Sequence, residues 1–239
     1  RHCHVCFSPF IGALPSSPPP PPLPTDMTRL HAFPLLIATL ALGTLPLHGE
    51  TATTSTAPSV APATMPANLV ANGGFEDGKN GWSLFIPTEA KTAAPAFNIA
   101  TSDARSGQNA ARLHTAGYAR YGLNGKWLPV KPGQRYRVTA WFKGDSDARA
   151  QPGTAGFVVR VTLRNGKSDT PGGHYFLLAD GRKSRGGTPP PVEIPFPKKW
   201  TSLTSSIEIP GKTDGLILCL FCWLAKGSIT IDDVSIVPE

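Results

Sequence analysis

Aromatic and arginine side chains recur in this sequence at the spacing that would put them on one side of β-strands. Successive residues of a strand face opposite ways. In Arg135–Lys143, alternation therefore sets Arg137, Thr139 and Trp141 against a core row of Tyr136, Val138, Ala140 and Phe142. In Gly156–Arg164 it turns Phe157, Val159, Val161 and Leu163 inward and Arg160, Thr162 and Arg164 outward. In Leu216–Leu224 it makes Leu216, Leu218 and Leu220 core and places Ile217, Cys219, Phe221 and Trp223 opposite. A sugar ring offers a patch of C–H groups that packs on an aromatic face, and a rim of hydroxyls that takes planar donors. A guanidinium adds a bidentate fork for a uronate carboxylate. Trp141, Arg137, Arg160, Trp223 and Phe221 are the ligand-binding candidates. The plain alternative is that loops cover Trp141 and Trp223 as ordinary core, and Cys219 and Phe221 make the Trp223 face greasier than an open cleft.

A second constellation joins the two ends of the domain. Asn68–Trp82, NLVANGGFEDGKNGW, sets the apolar pair Leu69 and Val70, read as a short strand, before a Gly-Gly turn, then Phe75 and Glu76. Glycine permits the backbone conformations of a turn that wraps its carbonyls around an ion. Gly227–Val237, GSITIDDVSIV, alternates as a strand, breaks step at Asp232-Asp233 and resumes. A spacing of three where a strand needs two predicts a bulge.

The elements that must position these residues are short strands throughout. Period-two alternation dominates, with strands expected near Phe97–Ala100, Ala110–His114, Tyr118–Leu123, Arg135–Lys143, Gly156–Leu163, Tyr175–Leu178, Trp200–Glu208, Leu216–Leu224 and Ser228–Ile236. Gly, Pro, Asn and Asp turns between them predict an all-β sandwich rather than a parallel α/β sheet. Trp82 and Trp200 are expected to close its two ends. Asp180–Lys199 reads as a long basic, then proline-rich, loop whose Arg182, Lys183 and Arg185 lie within reach of an acidic glycan, or as a merely solvated one.

Four motifs in order, N-G-G-F-E-x-G-x-x-x-W from Asn72, S-G-x-x-A-x-R-L at Ser106–Leu113, P-G-x-x-Y-x-V-x-A-W-F-K-G at Pro132–Gly144 and I-D-D-V-S-I at Ile231–Ile236, resemble the family 4/9 carbohydrate-binding modules of the cellulose- and xylan-binding type. The resemblance covers residues 68–239. It implies a jelly-roll β-sandwich of the galactose-binding-domain type, usually attached to glycoside hydrolases, with a concave sheet as glycan cleft and a structural calcium. It makes Glu76 and Asp232 side-chain ligands of Ca²⁺, with oxygens from Gly74 and from the turn at Arg105, Ser106-Gly107 and Gln108. Such hard donors from distant segments suit Ca²⁺; the alternative is that the two acids merely cap turns.

The rest of the chain sets limits. With 239 residues, 40% hydrophobic and 16% charged, it can bury one ordinary core but hardly two. Residues 1–26 begin without Met, run into the prolines of Pro15–Pro24 and read as an upstream extension. Residues 27–49 read as a signal peptide: Arg29 and His31, an apolar run Phe33–Leu47 too short to span a bilayer, then Gly49 before a cut at Glu50. Residues 50–67 form a Thr/Ala/Pro linker unable to build a core. Export from a bacterium, to the periplasm or the medium, is the expectation. From Glu50 onward 21 basic residues face 15 acidic ones, which points to an acidic glycan before it points to nucleic acid, or to an unselective basic surface. His2-Cys3-His4-Val5-Cys6 lacks the second half of a zinc site. Cys219 and Cys222, three apart on a strand, face opposite sides and are expected unbridged.

Enzymatic motifs fail by spacing. Asn165-Gly166-Lys167-Ser168 ends like a phosphate loop, but Val161 stands where the earlier glycine is required. No Gly-x-Ser-x-Gly elbow occurs, and the histidines lack an evident Ser or Cys partner in the sequence. Glycoside hydrolysis requires two carboxyls flanking a cleft; the acids sit mostly in turns, with Glu193 and Glu208 isolated. Three readings follow: a non-catalytic module binding a β-glucan, xylan or acidic polysaccharide; a glycosidase or lyase; and a structural or adhesion module of the cell envelope. Insertion into a membrane is not expected, and the oligomeric state is open.

Overall fold

The computed structural model describes residues 66–166 and 168–239. The expected extension, signal peptide and most of the linker lie outside the described residues, and with them the His2–Cys6 cluster. Ten strands follow in order: β1 (Trp82–Phe85), β2 (Ala96–Ala100), β3 (Ala110–Pro129), β4 (Arg135–Gly144), β5 (Arg149–Ala150), β6 (Gly156–Asn165), β7 (Ser168–Leu178), β8 (Lys183–Arg185), β9 (Thr201–Glu208) and β10 (Gly215–Pro238), with a 3₁₀ turn at Thr88–Ala93. Every pairing is antiparallel.

Two long strands belong to both layers of the sandwich. The first half of β10 lies between β3 and β6, and its second half between β3 and β4. One layer thus runs β9, β4, end of β10, start of β3, β2; the other runs β1, end of β3, start of β10, β6, β7, β8. The crossing needs local breaks. β10 loses register between Cys222 and Gly227, where Leu224 and Gly227 take φ of 53° and 86°. A Cβ on Gly227 would stand 2.4 Å from the Asp147 carbonyl oxygen, so this corner requires glycine.

The inward rows of the two layers interdigitate, with the Phe142 and Phe157 rings 4.5 Å apart at the centre. Tyr136, Val138 and Ala140 of β4, Val159, Val161 and Leu163 of β6, and Leu216, Leu218, Leu220 and Cys222 of β10 complete one core, as alternation predicts. Cys219 and Cys222 are free and buried. Burial pushes the Cys219 thiol up to about 12, so it is a hydrophobe rather than a nucleophile.

Three local expectations are revised. Leu69 and Val70 form no strand; a single bond from Leu69 N–H to the Ile236 carbonyl (2.9 Å) ties them to β10. The pairs of strands expected on either side of Ala116-Gly117 and of Ala225–Gly227 are each one strand that bends. The Asp180–Lys199 segment is docked: Lys183–Arg185 pair with β7, and Val192 and Phe196 are buried.

Candidate functional site

The acids at the two ends of the domain meet. β10 bulges between Asp232 and Ser235 opposite β4, with Asp233 at φ 46°, which turns the Asp232 carboxylate toward the turn that precedes β3. Asp232 Oδ2 accepts the N–H groups of Arg105 (2.8 Å) and Ser106 (3.2 Å), and Oδ1 that of Asp233 (2.7 Å). Glu76 Oε1 accepts the N–H groups of Gln108 (2.9 Å) and Asn109 (3.0 Å). Gly74 presents its bare side to both: a Cβ there would be 3.8 Å from Asp232 Oδ1 and 3.9 Å from Glu76 Cγ. The five residues expected around a metal, Gly74, Glu76, Arg105, Gln108 and Asp232, therefore do converge.

What this arrangement could hold follows from its charge. Asp232 is fully buried, and burial holds its carboxyl above the usual range against the opposing pull of its backbone N–H partners. The nearby cation is committed elsewhere, since the Arg105 guanidinium pairs with Asp233. Among the described residues no cluster of three or more His, Cys, Asp or Glu side chains is set to hold a metal. An ion here would rest on the two carboxylates plus main-chain oxygens, and the uncompensated Asp232 charge fits a hard cation.

The five ligand candidates separate into two groups on opposite outer faces. Arg137 and Trp141 stand on the outside of the β4 layer. Arg137 Nε donates to Glu239 (2.9 Å), and the Arg105 guanidinium lies 3.7 Å from the centre of the Trp141 ring. Arg160, Phe221 and Trp223 stand on the outside of the β6 layer and do meet. Cys219 pairs with Arg160 and Phe221 with Val158 in the β10–β6 register, and Arg160 with Phe176 in the β6–β7 register. The expectation of one cleft lined by all five is not met, because alternation fixes which side of its own sheet a residue takes and not which sheet it belongs to.

The Arg160 face is an aromatic bed with arginines on it. The Arg160 guanidinium lies 5.4 Å from the Phe85 ring centre and 5.2 Å from that of Phe221. Trp223 packs edge-on against Phe176 (5.6 Å) and Phe221 (5.7 Å), with Arg120 4.9 Å from its ring centre. Val158, Phe176, Leu178, Cys219 and Phe221 form a second apolar cluster, covered in part by Val192. Trp223, Phe85 and Arg160 stay half-buried at its margin. Arg160 Nε is buried with no hydrogen-bond partner among the described residues, an unmet donor within that bed.

Sequence reading missed one polar contact and one aromatic. His114 Nδ1 sits 3.0 Å from Ser228 Oγ, and Asp147 Oδ1 accepts the Ser228 N–H (3.1 Å). The acid thus bonds the serine rather than the imidazole, unlike a catalytic relay. Trp127, near the end of β3, is 46% exposed; it has the parity of the buried Leu123, and the register break opposite Ile217 and Cys219 of β10 turns it outward.

No protein-family model matches the chain, and no curated protein does. Among solved structures it is similar to a family 16 carbohydrate binding module (20% identity, 71% of this chain and 99% of that one, TM-score 0.44). It is also similar to the CBM22-1 xylan-binding domain from Paenibacillus barcinonensis Xyn10C (16%, 74% and 97%, TM-score 0.43). A third likeness is to the enzymatically active domain of bacteriophage CBA120 tailspike protein 4 (11% identity, TM-score 0.49), where 72% of this chain covers 21% of the tailspike chain. The all-β fold rests on the strand pairing above, and the roles of residues on the geometry of the site.

Proposed function

We propose that this protein is an exported, non-catalytic glycan-binding module, and that its ligand is an acidic polysaccharide lying across the Arg160 face. The observation that carries the reading is Arg160 itself: a cation lying over two neighbouring aromatic rings, with a buried Nε that has no hydrogen-bond partner among the described residues. A guanidinium so placed loses hydration and gains most from a carboxylate that accepts two parallel hydrogen bonds. Phe85 and Trp223 beside it supply apolar surface for the C–H face of the same sugar. The excess of 21 basic over 15 acidic residues from Glu50 onward would raise the local concentration of a polyanion.

Ca²⁺ held by Glu76 and Asp232, with main-chain oxygens of Gly74, Arg105 and Gln108, belongs to the same proposal. It would offset the buried Asp232 charge and fasten the first turn to the last strand, without touching the sugar.

Affinity electrophoresis of the full chain through gels holding pectin, alginate, xylan or β-glucan tests the reading. Retardation by pectin or alginate, reduced in Arg160→Ala by a contact worth about 1.5–3 kcal/mol, is expected. No retardation by either polyuronide would overturn the acidic-glycan reading.

A further inference from the structure

A cavity of about 230 Å³ opens between the Asn68–Trp82 turns and the paired β3 and β10, and its lining shares no residue with the Arg160 cluster. Trp127, Trp82 and Leu218 line it together with the polar Asn72, Asp77, Asn80 and Lys126. Trp82 is held in place, and Trp127 lies over a glycine. Trp82 Nε1 donates to the Asn72 carbonyl (2.9 Å), and its ring stacks 5.3 Å from that of Phe75 and against Gly125. The Trp127 indole occupies the space a side chain on Gly215 would need, since a Cβ there would lie 2.1 Å from Trp127 Nε1. Trp127 nevertheless remains 46% exposed. A large apolar ring that packs one side on bare backbone and leaves the other open to solvent is a platform for stacking.

The polar lining supplies hydroxyl-binding groups of both kinds. Asp77 accepts from Asn80 Nδ2, and Lys126 Nζ donates to Asn80 Oδ1 at 3.4 Å. A carboxylate can accept several further hydrogen bonds and an ammonium can donate two more. One acid and one base side by side do not select a net charge, whereas a sugar's hydroxyls both donate and accept. The volume lies below the roughly 300 Å³ at which pockets for drug-sized ligands begin, and so suits one ring.

We propose that this cavity is a second saccharide site, taking one neutral sugar ring stacked on Trp127 with its hydroxyls on Asp77, Asn80 and Lys126. It rests on the reading of the protein as glycan-binding, but not on the Arg160 face or on an acidic ligand. Titration calorimetry of the full chain with cellohexaose, xylohexaose and trigalacturonate tests it, using wild type, Trp127→Ala, Trp127→Phe and Arg160→Ala, each first checked for an unchanged melting curve. One neutral hexasaccharide is expected to bind wild type, to lose at least tenfold in Trp127→Ala, to recover in part in Trp127→Phe, and to stay within twofold in Arg160→Ala. Trigalacturonate should show the reverse dependence. Equal neutral-sugar affinity in Trp127→Ala, or no binding of either neutral hexasaccharide to wild type, overturns the second site. Failure of wild type to bind trigalacturonate while it binds a neutral hexasaccharide would count against the Arg160 reading and leave this one standing.

Discussion

The guanidinium of Arg105 lies 3.7 Å from the centre of the Trp141 ring while pairing with Asp233, so one side chain joins the turn before β3 to β4 and to the bulge of β10. Trp141 thereby serves as the seat of an intramolecular cation, and the face it gives to Arg105 is closed to a sugar. Trp141→Ala is expected to cost about 0.5–1 kcal/mol of stability, the worth of a solvent-accessible cation–π contact, plus its lost packing. Urea denaturation reads the cost, and polysaccharide retardation should change by less than twofold.

Removal of calcium tests the acid pair. If the ion is held at Glu76 and Asp232, the full chain melts at a higher temperature in calcium than in chelator, by about 2.7 kcal/mol when the ion stands at a hundred times its dissociation constant. Glu76→Gln and Asp232→Asn should each abolish the difference. Coincident melting curves in wild type would reject the ion and leave two carboxylates that cap the 105–109 turn.

The pH dependence at the acid end follows Glu239. The Ser206 hydroxyl donates to its carboxylate at 2.9 Å, and Arg137 Nε donates at 2.9 Å, with Arg135 Nε 3.7 Å away. Ser206 foremost, then Arg137 and Arg135, hold the Glu239 carboxyl below the usual range. A folded value lower than the unfolded one means that the contribution is fully present above the unfolded pKa and is lost as the pH falls through the lowered value. Chemical denaturation between neutral pH and pH 3 should show Glu239→Gln with a shallower loss of stability toward acid than wild type.

The proline-rich segment before β9 is a packed element. Phe196 is buried against Gly144 and Gly156; a Cβ on Gly144 would sit 2.7 Å from Phe196 Cβ, and one on Gly156 2.5 Å from Pro195 Cβ. Phe196→Ala should cost about 3–5 kcal/mol, as for other buried phenylalanines. Gly156→Ala should also destabilise, because φ there is +69° and the new methyl meets Pro195. Limited proteolysis should cut between residues 186 and 199 in both variants before it cuts wild type.

Much of the fold was legible because period two survives in every strand that packs on one side only. The inward rows of β4, β6 and β10 were readable residue by residue. The bends of β3 and β10 were not, because Ala116-Gly117 and Ala225-Lys226-Gly227 have the composition of turns while serving as corners of continuous strands. The acid pair was legible through its motifs, and its convergence needed no long-range information beyond them. The ligand face was only half legible: parity placed Trp141 and Trp223 outward, but outward from different layers. Trp127 escaped because its platform depends on Gly215, 88 positions away, whose missing side chain has no local signature.

The sharing of β10 between both layers has a consequence for synthesis. Leu69 bonds Ile236, Asn68 accepts the N–H of Ile236, and both β3 and β4 pair with the end of β10. Contacts of such sequence separation make folding slow, since loop closure must precede any reward from them. Neither layer has its central strand until Gly215–Pro238 are made. The growing chain is therefore expected to stay unfolded until Gly215–Pro238 have been made, with its sheet edges open to wrong partners until then. A chain arrested before residue 215 should be digested by protease as fast as an unfolded polypeptide.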